Sequence, residues 1–322
     1  MRCTMKFSIV ITTYNRLPLL RRAIESALAQ TLPCEVVVAD DCSSDGTEEY
    51  VRSLGDRVVY YRNPVNSGHS ATVNAGVAVA TGDWIKPLDD DDYLAPNCVW
   101  EMVKAIAQRP QAAICSCQAV QVDVNGEEVT RTKPSGPGTI FYVKQEDIHY
   151  GMLMEVVPFG TPVQVAFKKD AFLKSGGWDS ALDGNCDDID SWVKIAQYGD
   201  AAFVNQYLTF RTLWPGGCNQ KFSLQKRLET NILIKERIYP LVHEKYRSSI
   251  PKLEEIKAFL KLHWGLVGLK QGKILTALKM AYPAMFSPAA WSSLARVTYS
   301  RKINSQAPSV PQEIASYRTA SI

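Results

Sequence analysis

Four consecutive aspartates, Asp89 to Asp92, follow directly on the apolar stretch Trp84-Ile-Lys-Pro-Leu88. Carboxylates packed this closely repel one another unless something neutralises them. A solvated acidic loop would tolerate the repulsion, but a run at the end of a strand has a chemical use. Hard cations such as Mg²⁺ and Mn²⁺ take carboxylate oxygens together with phosphate oxygens and water. The spaced pair Asp89 and Asp91 is the expected metal-holding pair, set against a diphosphate. A second acidic group, Asp187-Asp188-Ile-Asp190, follows Gly176-Gly-Trp-Asp179. Helix capping accounts for one such aspartate, not three, and a poised carboxylate can take a proton from a hydroxyl. Asp187 and Asp188 are the candidates for that role. Asp190 projects away from Asp188 on a helix and reads as structural or positioning.

Two further segments carry polar groups where strands end. Thr12-Thr-Tyr-Asn-Arg16 offers a hydroxyl, a cation and, in Tyr14, a ring able to stack on a nucleobase. A plain strand-to-helix turn with Asn15 as cap is the alternative. Asp40 or Asp41 can accept hydrogen bonds from a base N–H or a ribose hydroxyl. Asp45, inside Ser43-Ser-Asp-Gly-Thr47, is turn and cap chemistry.

Such clusters work together only if one scaffold delivers them to one edge. Apolar runs at 7–11, 35–39, 57–61 and 84–88 read as strands. Helical spacing at 17–30, 47–54, 70–80 and 97–108 places a helix after each. This alternation predicts an α/β fold, a mainly parallel sheet with helices on both faces. Ligands then bind beyond the carboxyl ends of the strands. Pro87 suggests that its strand ends there or lies beside an edge. From Ala112 the pattern turns irregular: a strand over 112–122, a hairpin at Asn125-Gly126, a Pro/Gly loop over 134–138, a strand over 163–167 and a helix over 188–198. Residues 224–301 read as mostly helical, and between Ile256 and Gln312 lysines and arginines mix with aromatics and no acidic residue occurs.

A chain of 322 residues can bury a sizeable core. Its net charge of +3 does not point to nucleic acid. Eight dispersed cysteines without a C-x-x-C pair argue against structural zinc and for free thiols in a reducing compartment. The residues before Phe7 are too few and too polar for a leader, and no run of apolar residues reaches spanning length.

Taken in order, Ile9-Val-Ile-Thr-Thr-Tyr-Asn-Arg16, Val38-Ala-Asp-Asp-Cys-Ser-Ser-Asp-Gly-Thr47, Asn66-Ser-Gly68 with Asn74 and Gly76, Gly82-Asp83, Leu88 to Asp92 with Pro96, and Gly176-Gly-Trp-Asp179 with Asp187 to Asp190 resemble a family 2 glycosyltransferase of the GT-A fold, over roughly Lys6 to Arg211. The resemblance implies a Rossmann-like sheet with a nucleotide-sugar half (1–111) and an acceptor-side half (112–222); the residue pattern beyond it predicts a helical basic extension (223–303) and a disordered tail (304–322). It implies nucleotide contacts from Thr12, Tyr14, Asn15, Arg16, Asp41, Asn74, Asp89 and Asp90. The D-x-D motif falls on Asp89-Asp90-Asp91, with Asp91 as main metal ligand, and the base falls on Asp188, with Asp187 beside it. Two departures stand out: the first acid of that pair is Asp, not Glu, and Thr212-Leu-Trp-Pro215 follows Phe210-Arg211 where relatives often carry a His.

The implied activity is inverting transfer, dependent on Mn²⁺ or Mg²⁺, from a nucleoside-diphosphate sugar, UDP-linked by resemblance, to a glycan or lipid-linked hydroxyl. A sugar-phosphate nucleotidyltransferase would need a Gly-rich loop that 12–19 lacks. A non-catalytic nucleotide- or glycan-binding relative would have no need of the intact aspartates. The expected place is cytoplasmic, with 256–302 either packed on the catalytic domain or touching an anionic membrane at its inner face.

Overall fold

The computed structural model describes residues 5–214, 222–282 and 284–292. Strands and helices alternate through its first half: β1 (Phe7–Thr13), α1 (Leu17–Leu28), β2 (Glu35–Asp40), α2 (Thr47–Ser53), β3 (Val59–Arg62), α3 (His69–Val79), β4 (Trp84–Asp89), β5 (Tyr93–Leu94) and α4 (Cys98–Gln108). Then come β6 (Ala112–Val122), β7 (Glu128–Arg131), β8 (Ile140–Val143), α5 (Gln145–Leu153), β9 (Val165–Lys168), α6 (Lys169–Lys174), α7 (Asp187–Ile195) and β10 (Asp200–Thr212). Helices α8 (Leu224–Ile238), α9 (Leu253–Lys270) and α10 (Ile274–Ala281) follow.

All the strands join one sheet, ordered β3-β2-β1-β4-β9-β6-β10-β5, with β7 beside β6 and β8 beside β10. β1, β2, β3 and β4 are mutually parallel, whereas β9 runs antiparallel to both β4 and β6. Every residue of β1 is buried, as a strand covered on both faces must be. Alternate residues go to opposite layers. Ile9, Ile11, Val36 and Val38 pack with Leu20, Ile24, Met102 and Ile106 of α1 and α4. Val10, Val37 and Ile85 pack with Val73 and Val77 of α3 and Trp192 of α7. Each such aliphatic side chain contributes about 1.5–3 kcal/mol when fully buried.

The Pro87 expectation is corrected. β4 lies inside the sheet and runs on to Asp89. β9 pairs with it only at Trp84 and Ile85, so on that side the ladder has ended before the residue that lacks an N–H. This extension carries Asp89 to the sheet's rim. The basic extension starts as α8 to α10; its residues 293–303 and the tail 304–322 lie outside the described residues.

Candidate active site

Parallel register sets the site. Thr12 on β1 pairs with Asp89 on β4, and the two side chains meet at 3.4 Å. One residue on, Thr13 donates to Asp90 at 2.8 Å. Arg16, just past β1, reaches Asp90 and Asp91, both at 3.3 Å. Trp214 Nε1 donates to Asp91 at 2.9 Å, and Asp92 accepts the Thr212 N–H at 2.8 Å. The acidic run is therefore clasped between the ends of β1 and β10. Burial, then repulsion among the run, pushes Asp91 and Asp92 above the ordinary carboxylate range. Burial also lifts Asp90 to about 7, against the pull of Arg16. Asp89, Asp91 and Asp92 each place a carboxylate oxygen within 4.8 Å of the others. An all-oxygen set in like-charge conflict fits a hard divalent cation.

The loop after β2 separates the two candidates there. Asp40 is fully buried and accepts from Tyr60 and the Ser43 N–H, which makes it structural. Asp41 accepts from Asn63 Nδ2 and from the backbone N–H groups of Ser67 and Gly68, shaping the approach to α3. Asp45 caps as expected, accepting the Leu17 N–H and the Thr47 hydroxyl. Asn15 stands at φ 52° and its side chain takes the Ser44 N–H, while Tyr14 is left 46% exposed at the rim. Asn74 lies on α3. Both ends of its amide bond the backbone of Trp178, at 2.9 Å each, so it staples α3 to the Gly176-Gly177 turn.

Across the sheet's edge, α7 begins with the second acidic pair. Asp187 is buried and accepts from Ser70 Oγ at 2.9 Å. Asp188 is half-buried and takes a bond from the Ile189 N–H. Burial and the neighbouring Asp187 lift it to about 7. Asp190 is spent on Arg237 of α8 and Lys194, at 2.6 and 3.0 Å. A cavity of about 600 Å³ is lined by Asp89 and Asp92 from one side, Asp187 and Asp188 from the other, and His69, Trp178 and Arg211 between. Asp41, Asp91 and Tyr14 stand outside its lining. His69 is the residue that motif reading passed over. Its Nε2 lies 3.1 Å from Asp89 and 3.2 Å from Thr12, and its Nδ1 lies 3.7 Å from Asp187.

The model for Glycosyl transferase family 2 matches residues 8–176. The chain belongs to glycosyl transferase family 2. This glycosyltransferase is 30% identical over 210 residues to an uncharacterised glycosyltransferase of Haemophilus influenzae, spanning 64% of this chain and 67% of that one. Three further curated matches cover only 34–38% of their own length. The fold is shared with S. aureus TarS 1-349, solved with UDP-GlcNAc (TM-score 0.61, 18% identity, 87% of this chain and 81% of that one). It is shared too with the mannosyltransferase PcManGT of Pyrobaculum calidifontis, solved with GDP-Man and Mn²⁺ (TM-score 0.57, 21% identity, 95% and 82%). The architecture is thus of GT-A type, with a helical C-terminal region.

Proposed function

We propose that this glycosyltransferase moves a sugar from a nucleoside-diphosphate sugar, UDP-linked in the first instance, to a hydroxyl of a glycan or lipid-linked acceptor, with inversion at the anomeric carbon. The observation that carries the reading is Asp188, a carboxylate raised to about 7 in the lining of a cavity that Asp89 also lines. In the proposed step Asp188 takes the acceptor's hydroxyl proton as that oxygen bonds to the anomeric carbon. The bond from that carbon to the diphosphate oxygen breaks, and the nucleoside diphosphate leaves with the electron pair. Asp91 and Asp89, with Asp92 beside them, would hold the divalent cation, Mn²⁺ or Mg²⁺, which supplies positive charge next to the departing diphosphate. Arg211 adds a fixed positive charge that acts on Asp89 and Asp92. Tyr14 offers its exposed ring to the nucleobase. The extension is proposed to touch an anionic membrane surface, which would place a lipid-linked acceptor at the cavity.

The test is a thermal-shift screen of UDP- and GDP-sugars with and without Mn²⁺ or Mg²⁺, followed by release of nucleoside diphosphate. A ligand at 100 times its Kd stabilises the folded state by about 2.7 kcal/mol. Stabilisation that needs both metal and nucleotide is expected, and its loss in Asp91→Asn. Equal stabilisation of Asp91→Asn would remove Asp91 from the metal site.

A further inference from the structure

His69 belongs to none of the motifs, yet it stands where the donor side and the acceptor side of the cavity meet. Its backbone is held from the acceptor side: the N–H groups of His69 and Ser70 donate to Asp183 at 3.0 and 2.9 Å. Gly68 before it has φ +88°, and a Cβ there would lie 2.3 Å from the Asp183 carboxylate, so no larger residue lets this cap close. The ring packs edge-on to Trp178, centroids 5.3 Å apart. It is thereby aimed with one nitrogen at Asp89, on the end of β4, and the other at Asp187, at the start of α7.

Asp187 has few degrees of freedom left. Ser70 Oγ and His69 lie against its Oδ2, and the Asp188 N–H donates to its Oδ1 at 3.2 Å. For Asp188 the described residues provide a single partner, the Ile189 N–H. Ionised carboxylates only accept hydrogen bonds. The ring stands between the two acids, within hydrogen-bond distance of Asp89 at 3.1 Å and 3.7 Å from Asp187, and so joins the donor side to the acceptor side.

We propose that His69 is a positioning residue: it ties Asp187 to Asp89 across the cavity, so that Asp187 is consumed in the joint and Asp188 alone is left to act as base. The kinetic half of this inference rests on the transfer reaction proposed above; the structural half does not.

The structural half is tested by urea unfolding of Asp89→Asn, Asp187→Asn and the double variant, each with His69 intact and with His69→Ala. Non-additive midpoint shifts are expected with His69 present and additive ones without it. The same coupling in both backgrounds overturns the joint. For the kinetic half, His69→Ala is expected to keep Mn²⁺-dependent UDP binding within about threefold while kcat falls on the order of 10²-fold, as for a misplaced reacting group. The acceptor KM should stay nearly unchanged, and His69→Gln should recover part of kcat. Wild-type kcat in His69→Ala overturns the proposal. So does a tenfold rise in the Mn²⁺ concentration needed for UDP binding, which would make His69 a metal ligand. If the wild type releases no nucleoside diphosphate from any sugar tested, the proposed function fails while the unfolding cycle still decides the role of His69.

Discussion

At the residue scale, position relative to a strand end separates aspartates that look alike in sequence. Asp40 and Asp41 are neighbours, but strand alternation sends them to different partners. Asp40 anchors β2 to β3 through Tyr60, and Asp41 holds the turn into α3. Asp187 and Asp188 divide the same way, which gives the base assignment a measurable consequence. A general base acts ionised, so activity governed by Asp188 should be lost as pH falls through its raised pKa. The log of kcat/KM is expected to rise with unit slope below about 7 and level off above. Asp188→Asn should lower kcat by about 10²–10⁴-fold while leaving nucleotide binding intact. An active Asp188→Asn enzyme with an unchanged pH profile would move the base to Asp187. The acidic residues were legible because carboxylates following a buried strand are hard to explain otherwise. His69 was not: its partners are 20 and 118 positions away in the chain, and only the crossover from β4 to α7 brings them to one ring.

At the element scale, α3 is the hinge pin of the site. It packs on the sheet so closely that a Cβ at Gly76 would sit 2.5 Å from Val10. Its own residues do not cap its N-terminus; Asp183 does so from the acceptor-side loop, where a negative charge also suits the helix dipole. Asp183→Ala is therefore expected to destabilise the protein by about 1 kcal/mol, typical of a lost cap. It should also lower kcat by loosening His69. Urea unfolding checks the first and steady-state kinetics the second; an unchanged midpoint would mean that another group closes the helix. The first four strands and helices could be read from periodicity because most of the residues that face the core there are apolar. α5 could not, because its buried face carries Asp147 and His149. Asp147 Oδ1 is met by Tyr246 at 2.7 Å and by Lys245, and His149 by the Val193 carbonyl at 2.9 Å, partners that no local pattern announces. β5 and β8 were missed for a related reason: two- and four-residue strands take their conformation from pairing with β10, not from their own sequence.

At the scale of the whole molecule, the question is what the C-terminal helices do with apolar surface they do not bury. α9 and α10 close on each other through small residues: a Cβ at Gly265 would lie 2.7 Å from Ala281, and one at Gly268 would lie 3.1 Å from Ala277. That contact uses one face of α10. Its other face leaves Leu275 77% and Ile274 59% exposed, and Phe286 just beyond is 75% exposed. Lys270, Lys273 and Lys279 flank them in a stretch without a carboxylate. Among the described residues no helix is long and apolar enough to cross a membrane; the proposed contact lies along a surface, through these exposed side chains. Each lysine near an anionic bilayer contributes about 1 kcal/mol, and the insertion of aromatic and aliphatic side chains adds to it. Removing everything after Ser249 would be a poor test, because Leu260 and Met280 form one cluster with Leu224 and Leu228 of α8, and truncation would open that core. Point changes on the exposed face leave it closed. The intact protein is expected to float with vesicles containing phosphatidylserine and not with neutral ones. Leu275→Glu combined with Phe286→Glu should abolish flotation without moving the thermal midpoint. If the unaltered chain stays in solution with both kinds of vesicle, the extension serves the catalytic domain alone, and the acceptor must come to the cavity by another route.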